Sequence, residues 1–132
     1  MKATRKLFLI VIAAVEAATG LGLLLLPSVP LALLLGLASG TVEAIFVGRI
    51  AGVALLSIGV ASWMARKDEL NPSLSGLLVG ILIYNTAVTI LLVYAGAVLK
   101  MTGVILWPVI AFHAVLAVWG GLLLRGISSE LR

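Results

Sequence analysis

The stretch that decides the fold is residues 7–26, LFLIVIAAVEAATGLGLLLL, which is apolar except for Glu16 and Thr19. A helix of about 20 apolar residues is long enough to cross the hydrocarbon core of a bilayer. Three further apolar runs follow, at residues 42–65, 73–99 and 104–124. The sequence therefore predicts an all-α, polytopic membrane protein, a four-transmembrane-helix bundle that forms one integral membrane domain over residues 1–132.

The start of the chain also has some features of a secretory signal peptide. Basic residues precede the first apolar run, and Val15-Glu16-Ala17 loosely resembles a cleavage site. The apolar run continues to Leu26, however, which is nine residues beyond Ala17. This length favours a retained membrane span.

The composition excludes several classes of protein. Of the 132 residues, 63% are apolar and 11% are charged, and the mean hydropathy is +1.30, whereas a soluble domain has about 25% charged residues. The chain has no cysteine and one histidine, which excludes disulfides, thiolate metal sites and a metal site built from several histidines of one chain. No nucleophile and base stand at a recognisable spacing, so we expect no catalytic residue, metal or cofactor.

Residues 31–38 lie between the first two runs and are apolar, but they are too few to span a membrane. They predict a short interfacial or re-entrant segment after the first helix. Thr41 and Asn71 precede the second and third runs, and both residue types commonly cap helix N-termini. Pro72 also suits the first position of a helix.

Basic residues mark the ends of the apolar runs and indicate how they cross the membrane. The two termini and the loop after the second run carry seven of them: Lys2, Arg5, Lys6, Arg66, Lys67, Arg125 and Arg132. The other two loops carry only Lys100. The positive-inside rule then predicts that both termini are cytoplasmic, most simply in a bacterial inner membrane. The basic residues form no patch interleaved with aromatic residues, so we expect no nucleic-acid partner.

Each apolar run contains one strongly polar residue that lies several residues from either end of the run: Glu16, Arg49, Asn85 and His113. Counted from the outer end of each run, Glu16, Arg49 and His113 fall within roughly 5 Å of one another in depth. A charge in the middle of a membrane helix costs about 2.5 to 3.5 kcal/mol and calls for a partner, so the sequence predicts a Glu16–Arg49 ion pair. That pair would serve either as a structural lock or as a functional site.

Thr89 stands one turn after Asn85 and extends the polar face of the third run. We therefore take Glu16, Arg49, Asn85, His113 and Thr89 as the candidate site for a substrate or a proton.

Small residues predict where helices touch. Gly48, Gly52 and Gly59 fall on one narrow face of the second run, and the first two have the GxxxG spacing of closely packed membrane helices. This face is expected to pack within one chain or between copies.

Two functions are open on the sequence alone. The first is proton-coupled binding or transport of a small lipophilic or cationic substrate by a homo-oligomer, with Glu16 carrying the proton. The alternative is a non-catalytic accessory or assembly subunit, whose partners are the lipid bilayer and other membrane subunits.

Overall fold

The structure is a computed structural model that describes residues 2–37 and 40–130, with side chains up to residue 127. Within those ranges the chain forms five helices: α1 (Lys2–Leu25), α2 (Ser28–Leu35), α3 (Val42–Ala65), α4 (Pro72–Ala97) and α5 (Leu106–Glu130). The helices α1, α3, α4 and α5 are long and apolar enough to cross a membrane. The prediction of an all-α chain with four such helices is confirmed.

Helix ends differ from the ends of the apolar runs because polar residues also form helix. Helix α1 begins at Lys2 rather than at residue 7, and α5 begins at Leu106 and extends beyond residue 124. The predicted caps are confirmed. Thr41 Oγ1 accepts a hydrogen bond from the Ala44 amide at 3.2 Å, and Asn71 Oδ1 accepts one from the Leu74 amide at 2.8 Å.

The short segment predicted at residues 31–38 is the helix α2, which begins and ends earlier than expected. Pro30 lies in its first turn, where the missing amide hydrogen breaks no helical bond. The helix ends at Leu35 and is capped by Gly36, whose φ of 75° is a left-handed conformation that glycine adopts without steric cost. Residue 38 lies outside the described residues.

Helix α2 is held against the loop that joins α4 to α5. The Ile105 amide donates to the Leu33 carbonyl at 3.1 Å. A Cβ atom on Gly103 would lie 2.1 Å from the backbone of Leu34, so only glycine fits there. This contact connects the first half of the chain to the second at the end of the bundle remote from Lys2.

The four long helices form two pairs. Helix α1 packs most extensively against α3, and α4 packs against α5. The pairs meet through apolar side chains rather than close backbones. This shared core consists of Phe8, Leu9 and Ile12 from α1, Leu74, Leu78 and Ile81 from α4, and Leu116, Leu123 and Ile127 from α5.

Small residues bring the backbones of α1 and α3 into direct contact. A Cβ atom on Gly52 would lie 2.7 Å from the Gly20 carbonyl oxygen and from the Leu24 amide nitrogen. A Cβ atom on Gly59 would lie 2.8 Å from the Ala17 amide nitrogen. Gly48 faces the Leu23, Pro27 and Leu31 side chains at ordinary contact distances. The predicted small face of the second run therefore lies against α1 of the same chain.

Replacing Gly52 with Ala should destabilise the protein by about 1 to 3 kcal/mol, because the new methyl group meets backbone that cannot move without separating the helices. Thermal unfolding in detergent, followed by circular dichroism, measures the effect. Gly76→Ala is the matched control, since nothing lies within 4 Å of a Cβ at Gly76 and alanine favours helix by up to about 1 kcal/mol. Equal unfolding temperatures for the two variants would contradict the close contact.

Candidate functional site

The carboxyl group of Glu16 points from α1 toward the second helix pair. Ala13, Ala17 and Gly20 occupy the face of α1 that contacts α3, and Glu16 lies at the edge of this face, where its carboxyl group meets α4. There the Tyr84 hydroxyl donates a hydrogen bond to Glu16 Oε2 at 3.2 Å. Glu16 is 1% exposed, and its second oxygen, Oε1, is buried without a hydrogen-bond partner. One carboxyl oxygen therefore remains free to bind a proton.

Asn85 and His113 form the second part of the site, between α4 and α5. The Asn85 side-chain amide nitrogen donates to the Ile81 carbonyl at 2.9 Å, so its oxygen Oδ1 must face the histidine. His113 Nδ1 lies 2.8 Å from Asn85 Oδ1. Because an amide oxygen only accepts hydrogen bonds, Nδ1 carries the ring proton. The other nitrogen, Nε2, then has a free lone pair when the ring is neutral.

Tyr84 joins the two parts into one cluster. Its ring lies edge-on to the His113 ring with 5.8 Å between the centroids, while its hydroxyl reaches Glu16. Phe112 covers His113 at a centroid distance of 6.2 Å. Asn85 is fully buried and His113 is 8% exposed. Three helices therefore contribute to one enclosed polar group, which we call the Glu16 cluster: Glu16, Tyr84, Asn85 and His113.

The structure does not form the predicted ion pair between Glu16 and Arg49. Gly59 contacts Ala13 and Ala17, so Glu16 is level with Gly59 on the neighbouring helix. Arg49 precedes Gly59 by ten residues, which is roughly 15 Å along the axis. Its side chain is exposed on the surface of α3. The prediction was wrong because it assumed that the first run ends level with the start of the second run. In the structure, α3 extends beyond the end of α1.

Thr89 is near the cluster in sequence but bonds only within its own helix. Its hydroxyl donates to the Asn85 carbonyl at 2.8 Å. Tyr84, which was not among the predicted site residues, is the one that contacts Glu16. A tyrosine in the middle of a span, far from the interfaces where this residue is common, is the signal that could have identified it.

The Glu16 cluster has two atoms that can bind a proton. Glu16 Oε1 and His113 Nε2 can each take up a proton. In the part of the chain that the structure describes, no group of three or more His, Cys, Asp or Glu side chains could hold a metal ion.

Double-mutant cycles distinguish the observed partner of Glu16 from the predicted one. Glu16→Met combined with Tyr84→Phe should show a coupling free energy of about 0.6 kcal/mol, the average for side-chain hydrogen bonds between membrane helices, and no more than about 1.7 kcal/mol. Glu16→Met combined with Arg49→Met should be additive within about 0.5 kcal/mol, because the two sites are far apart. Free energies of unfolding measured in mixed micelles give the coupling free energy of both pairs. A strong Glu16–Arg49 coupling would overturn the assignment.

Comparisons with models of protein families, with curated proteins and with solved structures find no match to this chain. Its function is therefore inferred from the geometry of the Glu16 cluster.

Proposed function

We propose that this chain is an integral protein of a bacterial inner membrane that binds and transports a small lipophilic cation in exchange for a proton at Glu16. The observation that supports the proposal is the buried oxygen Oε1 of Glu16, which has no hydrogen-bond partner among the residues that the structure describes. A carboxylate removed from water is costly unless a positive charge or a hydrogen-bond donor accompanies it. Tyr84 provides one donor, and the remaining need is met by a proton or by a cationic ligand.

The surroundings of Glu16 favour a ligand with an apolar body. Ile12 and Ile81 are buried one turn from Glu16 and Tyr84, respectively, and belong to the core between the helix pairs. A strongly hydrated ion would lose its water there without enough replacement ligands. An organic cation with apolar substituents contacts the isoleucines and places its charge beside the carboxylate.

His113 gives the same site a second protonation position. Its Nε2 lone pair is free among the described residues, and Tyr84 lies between its ring and Glu16. A charge on the histidine repels a cation in the Glu16 cluster, so protonation of either residue opposes cation binding. Both groups therefore act in the same direction, and a rising pH favours the bound cation.

The packing supports a movement of the two helix pairs. Backbone contact joins α1 to α3, whereas the α1–α3 and α4–α5 pairs meet through side chains. The Glu16–Tyr84 hydrogen bond crosses this boundary. Rocking of one pair against the other, a common form of alternating access in transporters, would break that bond and open the site.

Arg49 supports an association with a second copy or another membrane subunit. Its side chain is exposed about 10 Å from the start of α3, and charged residues within spans almost always face protein or a water-filled cavity. A partner that covers the outer side of α3 would provide that environment. This observation also favours the second candidate function, an accessory subunit, in which the Glu16 cluster would bind no ligand.

Glu16→Gln should abolish proton exchange at residue 16 while preserving the fold, because the amide has nearly the same shape and cannot ionise. In the unaltered protein, tetraphenylphosphonium should bind more tightly as pH rises from 5 to 8, and each bound cation should release about one proton. Calorimetry in buffers of different ionisation enthalpy counts the protons. A Glu16→Gln variant that releases as many protons per bound cation as the unaltered protein would contradict the assignment.

Two variants complete this experiment. Glu43→Gln is the matched control, because it also removes one carboxylate but lies exposed at the start of α3. It should leave binding and proton release unchanged. His113→Gln should shift the pH midpoint of binding without abolishing it, which separates the histidine from the main proton carrier.

The orientation can be tested by labelling with an impermeant thiol reagent, since the chain has no cysteine of its own. Ser28→Cys should react from the periplasmic side and Asp68→Cys from the cytoplasmic side, as the distribution of basic residues indicates. Labelling of intact cells compared with inverted vesicles measures this. The reverse pattern would place both termini outside.

A further inference from the structure

A basic cleft lies at the end of the bundle where α1 begins and α3 ends. It has a volume of about 290 Å³ and is lined by five cationic residues: Lys2, Arg5, Lys6, Arg66 and Lys67. Asp68 and Glu69 are the acidic residues in its lining. The positive charges therefore exceed the negative ones, and the cleft attracts an anion.

Lys2 and Arg5, two of the five cationic residues, form hydrogen bonds within the protein. Lys2 Nζ lies 2.9 Å from Glu69 Oε1, and this hydrogen bond and the lysine charge hold the pKa of Glu69 below its usual value. Arg5, which is 8% exposed, donates to the Asp68 carbonyl at 3.1 Å. The Glu69 carboxylate therefore compensates the charge of Lys2, whereas the hydrogen-bond partner of Arg5 is an uncharged carbonyl.

Two lysines of the basic cleft have no anionic partner. Lys6 and Lys67 are exposed, and neither forms an ion pair among residues 2–37 and 40–127. Arg66 hydrogen-bonds to the Trp63 carbonyl and stacks on the Trp63 ring at 3.6 Å, so it is oriented without being neutralised. The uncompensated charges come from both α1 and the end of α3.

An apolar groove begins next to the basic cleft. It has a volume of about 340 Å³ and runs between α1 and α3, where Ala13, Ala14 and Ala17 face Gly59 and Val60. Trp63 lines the groove, and Arg66, which lines the cleft, stacks on Trp63. The small residues that bring the two backbones together leave this groove along the helix pair.

We propose that the basic cleft and the apolar groove together bind one anionic glycerophospholipid, with its phosphate among Lys6, Arg66 and Lys67 and an acyl chain along Ala14 and Val60. Charge complementarity selects the anionic headgroup, and basic pockets at the ends of membrane helices are suited to such lipids. The length of the groove between Ile10 and Ala17, roughly 10 Å, accommodates the upper part of an acyl chain. This site rests on the membrane insertion proposed above, and it is independent of Glu16.

Native mass spectrometry of the whole protein tests the proposal with phosphatidylglycerol and phosphatidylcholine of identical acyl chains. Phosphatidylglycerol should bind with a stoichiometry of one per chain and more tightly than phosphatidylcholine. Because each basic residue contributes roughly a fivefold factor, the variant Lys6→Gln/Lys67→Gln should weaken phosphatidylglycerol about 20- to 30-fold. Lys100→Gln/Arg125→Gln removes the same charge elsewhere and should have no effect.

A second pair of variants tests the groove. Ala14→Phe should fill it and weaken phosphatidylglycerol, whereas Ala18→Phe, one turn along α1 and outside the groove lining, should not. Inorganic phosphate at millimolar concentration should not displace the lipid. Equal affinity for the two lipids, no effect of Lys6→Gln/Lys67→Gln, no effect of Ala14→Phe, or displacement by phosphate would each overturn the proposal. Glu16→Gln should bind phosphatidylglycerol normally, so failure of this site and failure of the Glu16 proposal are distinguishable.

Discussion

The direct contact between the backbones of α1 and α3 determines the arrangement of the rest of the protein. Gly20, Gly52 and Gly59 bring the two helices so close that no side chain fits between them at these points. This contact occupies one face of α1. Glu16 lies at the edge of that face, next to the side whose Phe8, Leu9 and Ile12 pack against α4 and α5. The positions of the small residues thus fix how α1 is rotated against α3, and with it the direction in which the Glu16 carboxyl group points.

That position separates Glu16 from the basic residues of the chain. Arg49 is roughly 15 Å away along the axis, and Arg5 bonds to the Asp68 carbonyl at the end of the bundle. The partner of Glu16 is the uncharged hydroxyl of Tyr84, and Asn85 and His113 bond to each other beside the Tyr84 ring. A carboxyl group with such neighbours exchanges a proton or a cation more readily than one locked in a salt bridge, because no resident positive charge must first be displaced.

The sequence was sufficient for those features that depend on local chemistry. Apolar runs identified four long helices, and Thr41 and Asn71 marked helix starts correctly because capping depends on adjacent residues. The depth of a residue within the bundle, by contrast, depends on how far neighbouring helices are displaced relative to each other along their axes. The loop between α1 and α3 contains an additional helix, so the ends of the two runs are not level, and the Glu16–Arg49 pair was predicted wrongly. Tyr84 was missed for a related reason, since only the rotation of α4 brings its hydroxyl to Glu16.

The hydrogen bonds of Asn85 determine which nitrogen of the His113 ring carries a proton. To pass a proton through the ring, His113 would have to gain one at Nε2 and lose the other from Nδ1. The loss would place two lone pairs opposite each other at 2.8 Å, unless the amide of Asn85 turned over and gave up its bond to the Ile81 carbonyl. While the amide keeps its orientation, His113 takes up and returns a proton on the same side. In the proposed function, therefore, the ring stores a proton at Nε2 and does not conduct one from one side to the other.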